Sequence, residues 1–262
     1  MKLNKLFLPL AITFVASVAS CGGQKDENKL TVATNATFEP FEYKDSDGNF
    51  LGIDMDIVNQ FAQSNGYELE ITDIDFDSIV PSIQTSKADI GIAGLTKTDE
   101  RSKIVDFTDS YYSASQVVIV PANSSIANST SKDEILSYLE NKTIGCQSGT
   151  TGESYITGSS DLDFTGISGA TCRPLSDGYL ACKSLNDGQL DAVIIDKAPA
   201  ELYVKTYTNL KVLPVTLTEE EYAIAVKKGN TKLLNELNSF IKEIKENGKL
   251  DEIINSYNST NN

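Results

Sequence analysis

Ala88-Asp89-Ile90-Gly91-Ile92-Ala93-Gly94-Leu95-Thr96-Lys97-Thr98-Asp99-Glu100-Arg101 is an apolar run that stops at a glycine and passes into a polar turn. Ala88 to Ala93 reads as a strand, and Thr98 onward as the opening of a helix. Such a turn presents backbone N–H groups, the hydroxyls of Thr96 and Thr98, and the guanidinium of Arg101. Together these can hold a carboxylate, because an arginine fork matches its two oxygens and N–H groups near a helix start add to it. The plainer alternative is a helix start capped by Thr98 or Asp99, with Arg101 in water.

The segments on either side repeat this strand-turn-helix grammar. Leu30–Thr34 reads as a strand, and Phe41–Tyr43 and Phe50–Leu51 flank the turn signal Asp47-Gly48 as a hairpin. Asp45, Asp47 and Asn49 do not make a calcium loop, since the glycine is misplaced and no Glu stands at the twelfth position. Asp54–Asn65 has the apolar spacing of a helix, closed by Gly66. Glu68–Ile74 is a strand, Ser78–Thr85 a short helix and Ile90–Ala93 a central strand. This β-α-β-α-β order predicts a parallel sheet with helices on both faces. After the β-rich run Gln116–Val120 and a loop at Asn123–Ser131, a second set follows: helix Asp133–Leu139, strand Thr143–Cys146, helix Thr150–Thr157, strand Thr171–Pro174, helix Tyr179–Leu185 and strand Ala192–Asp196. Tyr222–Val226 is another β-run, and Asn230–Glu246 and Leu250–Tyr257 are helices. Two βα sets joined by two β-runs predict an α/β protein of two lobes, each a mostly parallel sheet flanked by helices.

Charge and address narrow the class. The chain carries a formal net charge of −15, which argues against nucleic acid, whose phosphates need basic patches. Lys2 and Lys5 precede an apolar run, Leu6 to Val18, too short to span a bilayer well, and Val18-Ala19-Ser20-Cys21 has a small-residue cleavage pattern. The pattern resembles a bacterial lipobox, which implies removal of residues 1–20, lipidation of Cys21 and a polar tether at 21–28. The alternative is an ordinary secretory signal with an incidental cysteine. With no later transmembrane span expected, the membrane is touched by the lipid alone, on the periplasmic side or the cell surface.

Cys146, Cys172 and Cys182 follow Cys21. In an oxidising compartment one pair could bridge; Cys172 and Cys182 are close in sequence, and a bridge needs Cα atoms within roughly 7 Å. All three could equally be small buried hydrophobes, and the strand positions of Cys146 and Cys172 favour three thiols. Histidine is absent and the spacing forms no zinc pattern, so neither a metal nor another cofactor is expected.

Seven motifs in register resemble the solute-binding proteins of polar amino-acid ABC importers. They are Val32-Ala33-Thr34-Asn35-Ala36-Thr37-Phe38-Glu39-Pro40-Phe41, Gly52-Ile53-Asp54-Met55-Asp56-Ile57, Asp75-Phe76-Asp77-Ser78-Ile79-Val80-Pro81-Ser82-Ile83, the segment Ala93 to Arg101, Val105-Asp106-Phe107-Thr108-Asp109-Ser110-Tyr111-Tyr112, Gln147-Ser148-Gly149-Thr150-Thr151-Gly152-Glu153 and Leu190-Asp191-Ala192-Val193-Ile194-Ile195-Asp196. The resemblance runs from about Leu30 to the C-terminus. It implies a type II periplasmic-binding-protein fold, with lobe 1 at 29–114 and 224–262 and lobe 2 at 119–218. The hinge would fall at 115–118 and 219–223, on the runs Gln116–Val120 and Tyr222–Val226. It also implies a ligand held between the lobes, a monomer, and a separate ABC permease as partner.

A free amino acid needs a cation for its carboxylate, an anion for its ammonium and a pocket for its side chain. Arg101 is the expected carboxylate partner, helped by Gly94 and Thr96, with Thr150 and Thr151 contributing from a second strand-to-helix turn. Asp196, at the C-terminal end of an apolar strand, suits the ammonium. Phe38 and Phe76 fall where the family sandwiches its ligand. Receptors for cationic amino acids often carry an acid where this chain has Asn35, so Asn35 and Gln147 point toward a neutral, small or polar amino acid. Two rivals are a dehydratase of small carboxylic acids on the same fold, with Glu39 and Glu153 as its acids, and a structural surface lipoprotein. Without histidine no Ser-His or Cys-His pair exists, so no enzyme is expected.

Overall fold

In the computed structural model, residues 28–259 are described. The leader at 1–20 and Cys21 lie outside them.

Two five-stranded sheets organise the chain. The first runs Glu68–Asp73, Lys29–Thr34, Ile90–Gly91, Ala225–Lys227, Val105–Phe107. Its first three strands are parallel, and Ala225–Lys227 is antiparallel to both of its neighbours. The second runs Thr171–Leu175, Thr143–Gln147, Ala192–Asp196, Gln116–Pro121, Leu210–Val212. It repeats the pattern: three parallel strands, then Gln116–Pro121 antiparallel to both sides. The two lobes are thus alike in architecture, as the alternation of strands and helices predicts.

Burial explains the order of elements. Helix Ile53–Asn65 buries Met55, Ile57, Val58 and Phe61 completely, a stripe at helical spacing. Helix Thr231–Glu246 opposes it with Leu237, Phe240 and Ile241, and Phe240 meets Phe61 edge-on with ring centroids 5.5 Å apart. Emptying such an aromatic site costs about 3–5 kcal/mol, so Phe61→Ala would strip lobe 1 of much of its margin.

One strand of a separate ladder falls within the segment 219–223. Tyr112–Ala114 pairs antiparallel with Glu220–Tyr222 in a separate two-stranded ladder, Tyr222 opposite Tyr112. The expected crossing Gln116–Val120 belongs wholly to the second sheet. Its residues Val117 to Val120 are at most 1% exposed, because that strand is covered on both faces and paired on both edges. The run Tyr222–Val226 is two strands, not one. Ala223 donates from its N–H to the Leu95 carbonyl and Ile224 to Thr108 Oγ1, which turns the chain out of that ladder and into the first sheet. Phe41, Tyr112 and Tyr222 pack as an aromatic knot on this ladder, with Phe41 edge-on to both tyrosines at 4.8 and 5.1 Å.

Candidate ligand-binding site

All ten residues singled out in the sequence line one narrow cavity of about 10 Å³ between the lobes. Asn35, Phe38, Phe76, Gly94, Thr96 and Arg101 reach it from the first lobe, and Gln147, Thr150, Thr151 and Asp196 from the second. Most sit at or just beyond the C-terminal ends of parallel strands, where side chains converge on the crevice. Glu42 and Ala93 complete the lining.

Arg101 is fixed by carbonyls from both lobes. Its Nη1 donates to the Thr96 carbonyl at 2.7 Å and its Nη2 to the Gly149 carbonyl at 2.9 Å. Phe76 lies under the guanidinium, 5.3 Å from ring centroid to Cζ. Two of five N–H groups are engaged this way, leaving the rest of the fork for an anion. Burial lowers its pKa to about 10, against the pull of Glu220 and Asp196, so the group stays charged at neutral pH.

The turn around Arg101 is busier than its sequence suggests. Thr98 caps the short helix Asp99–Ser102 by accepting from the Arg101 N–H. The Gly94 N–H, expected to face a ligand, donates instead to Asp54 Oδ2 at 2.8 Å. Gly94 sits at φ 51, and a Cβ there would stand 3.0 Å from Phe38 Cε1 and 3.2 Å from the Tyr222 ring, so both the backbone and the crowding call for glycine. The Thr96 hydroxyl is spent on Glu220 Oε2 at 2.7 Å.

Glu220 is a residue that the sequence did not reveal. Its Oε2 also accepts from Thr151 Oγ1 of the second lobe at 2.8 Å, and its Oε1 from Thr218 Oγ1 at 2.8 Å. One carboxylate therefore ties both walls of the cavity. Behind it, Tyr222 donates to Asp196 Oδ1 at 2.5 Å. Burial raises the Asp196 carboxyl to about 7, and the nearby Glu220 charge adds to the shift.

Asn35 and Gln147 meet across the cleft, with Gln147 Nε2 donating to Asn35 Oδ1 at 2.8 Å. Asn35 Nδ2 donates to the Ile74 carbonyl, and Thr37 Oγ1 donates to Asn35 Oδ1. The amide at Asn35 is thus largely spent on protein partners. On the second lobe, Thr150 caps helix Thr151–Thr157 by accepting from the Glu153 N–H.

Glu42 is the sharpest departure from expectation. It is fully buried, lines the cavity, and shares a hydrogen bond with the neighbouring carboxyl of Asp54. Asp54 in turn meets the Tyr111 hydroxyl, so Glu42, Asp54 and Tyr111 form one buried cluster. Burial, then the charge of Asp54, hold the Glu42 carboxyl well above the usual carboxylate range. Asp54 itself is raised by burial to about 7. Strand alternation in Phe41-Glu42-Tyr43 would turn Glu42 away from a buried Phe41, but Glu42–Lys44 is paired on both edges and covered by helix Ile53–Asn65.

Neither acid considered for catalysis is placed for it. Glu39 does not line the cavity, and Glu153 Oε2 accepts from the Gly149 N–H at 2.7 Å.

Residues 30–260 match the bacterial extracellular solute-binding proteins, family 3. The chain belongs to that family. It is a solute-binding protein of the amino-acid ABC importer class and not an enzyme. This solute-binding protein is 32% identical to a probable histidine-binding protein of Neisseria gonorrhoeae, over 92% of this chain and 90% of the relative. It is 30% identical to the arginine-binding extracellular protein ArtP of Bacillus subtilis, over 95% and 94% of the two chains. Among solved structures, an ancestral arginine-binding protein bound to arginine superposes with a TM-score of 0.79 at 35% identity, covering 88% of this chain and 98% of the other. An ancestral arginine-binding protein bound to glutamine gives 0.78 at 35% identity, with the same coverage. The type II two-lobe fold expected from the sequence is the fold of these neighbours.

Proposed function

We propose that this solute-binding protein captures a free amino acid with a cationic side chain and hands it to an ABC permease. The observation that carries the reading is Glu42. A zwitterionic ligand with a neutral side chain uses Arg101 for its carboxylate and Asp196 for its ammonium. It leaves Glu42, buried on the cavity wall beside Asp54, without a counter-charge, so the two acids cannot ionise together. A second positive charge on the ligand satisfies it. The lining then balances: Arg101 against one negative group, and Asp196 and Glu42 against two positive ones. Phe38 and Phe76 supply apolar faces for the stem between. Relatives named for arginine and histidine fit the same chemistry.

The neutral ligand expected from Asn35 and Gln147 is the second reading. It loses ground because those amides bond each other, and it keeps some because a neighbour at 35% identity holds glutamine. In either case the site residues act by binding alone, the protein works as a monomer, and a lipid on Cys21 keeps it at the membrane beside its permease.

Calorimetric titration of the refolded, ligand-stripped protein with arginine, lysine, histidine and glutamine tests this. Arginine or lysine is expected to bind at least about tenfold more tightly than glutamine, and Glu42→Gln to remove that preference, since stranding a buried charge costs about 2–5 kcal/mol. Tighter binding of glutamine, unchanged by Glu42→Gln, would establish the neutral reading instead.

A further inference from the structure

The second lobe holds two thiols in contact. Cys146 Sγ and Cys172 Sγ are 3.5 Å apart. Cys146 lies on Thr143–Gln147 and Cys172 on Thr171–Leu175, neighbouring parallel strands with Ile144 opposite Cys172 and Cys146 opposite Pro174. Residues 144 and 146 share a face of a strand, so the two cysteines are diagonal neighbours on one side of the sheet. That side packs on Val118, Ile135 and Ile156. Cys182 lies on helix Gly178–Asn186, in the apolar cluster that contains Val117 and Val193. Since Val117 and Val118 alternate, Cys182 is on the opposite side of the sheet. Of the three possible pairings, one brings sulfurs together.

We propose that Cys146 and Cys172 form a disulfide in the exported protein, with Cys182 left as a thiol. A bonded pair needs its sulfurs at about 2.05 Å and its Cα atoms within roughly 7 Å, so these diagonal neighbours reach it by χ1 rotation together with a small approach of the two strands. Bacterial extracellular proteins work in compartments where such bonds persist. Cys172 is half-exposed and faces an open groove formed by segment 165–170 and the end of helix Thr151–Thr157, whereas Cys146 is fully buried. Cys172 is therefore the thiol that meets an oxidant.

The chemistry is exchange with a disulfide RSSR, small or carried by a protein. The Cys172 thiolate attacks one sulfur, forms a mixed disulfide and releases RS⁻. The Cys146 thiol then gives up its proton and attacks the Cys172 sulfur, releasing the second RS⁻. Two protein thiols are oxidised and one external disulfide is reduced to two thiols. The new bond ties the outer strand of the sheet to the strand that ends at Gln147, on the wall of the cavity.

The test uses the purified full chain, reduced and then incubated with oxidised glutathione. Peptide mapping under non-reducing conditions should find the Cys146 and Cys172 peptides joined, two hydrogen masses lighter than their sum, with Cys182 still alkylated by iodoacetamide. The melting temperature should rise by several degrees on oxidation, fall back on reduction, and stay constant in Cys172→Ala. Full alkylation of both cysteines after the incubation would overturn the proposal, as would a bond from either to Cys182. Because the readout needs no ligand, it is independent of which amino acid the cavity takes.

Discussion

Arg101 donates through Nη2 to the carbonyl of Gly149, 2.9 Å away on the other lobe. The guanidinium proposed to take the ligand carboxylate is thus also a latch between the lobes. A ligand carboxylate that orders Arg101 favours the closed arrangement, and closure in turn fixes the fork for the carboxylate. Arg101→Ala removes both roles. We expect it to weaken amino-acid binding by at least about thirtyfold, equivalent to roughly 2 kcal/mol or more. Arg101→Lys should recover little, because an ammonium cannot serve two carbonyls and a carboxylate in one plane. Titration calorimetry on both variants checks the affinities.

Glu220 accepts from Thr96 on one lobe and Thr151 on the other through the same oxygen. Glu220→Gln keeps the shape but offers one carbonyl oxygen where a carboxylate offered two charged ones. Affinity for the amino acid should fall about tenfold. The same change should lower the Asp196 pKa, since the Glu220 charge is among the causes that raise it. A pH series on the variant, with its acid limb shifted downward, separates this from simple loss of fold.

Binding should weaken in acid. Asp196 titrates at about 7 in the ligand-free cavity, and an ammonium partner favours its ionised form, so binding below that pH releases a proton. Affinity then falls by up to about tenfold per pH unit for each coupled group as pH drops below about 7. Glu42, also raised by burial, gives up its proton to solvent when a cationic side chain stands beside it. Proton release measured in buffers of different ionisation enthalpy should therefore be larger for arginine than for glutamine.

The ligand-free protein should be more stable near pH 5 than near pH 8. Asp54 carries a folded pKa of about 7 against an ordinary 3.8, so the folded state binds more protons between those values and stability declines as pH rises through them. Above about 7 this contribution levels off. Asp54→Asn should flatten that slope in thermal melts.

Gly149 stands at φ 75, and a Cβ there would lie 2.7 Å from Asp77 Cβ and 3.1 Å from Asp77 Cα. Gly149→Ala drives a methyl into the opposite lobe. We expect weaker binding by about tenfold and a larger radius of gyration with ligand present, read by small-angle scattering. Gly48→Ala, at φ 85 with nothing nearby, bears the same backbone cost and should bind normally.

Much of this was legible in the chain itself. Strand and helix alternated at readable periods, and the site residues stood where apolar strands run into polar turns, so Arg101, Asp196 and Thr151 converge as a matter of topology. Glu42 and Glu220 were not legible. Each is a lone acid in a short strand, and burial there comes from partners distant in sequence: helix Ile53–Asn65 and the adjoining strands for Glu42, Thr96 and Thr151 for Glu220. The break in the run Tyr222–Val226 was hidden for a related reason. Tyr222-Ala223-Ile224-Ala225-Val226 is evenly apolar, and the turn at Ala223 is made by Leu95 and Thr108, which local pattern does not see.

Strand Ala225–Lys227 sits between Ile90–Gly91 and Val105–Phe107, so the middle of the first sheet is built from the end of the chain. The second sheet, by contrast, is drawn from one unbroken stretch between Gln116 and Val212. During export the later lobe can mature while the earlier one still waits, its two halves separated by a slot one strand wide. The part of the molecule that emerges first is thus the last to become whole. A chain cut before Ala225 keeps every strand of the second sheet and lacks the middle strand that joins the two halves of the first.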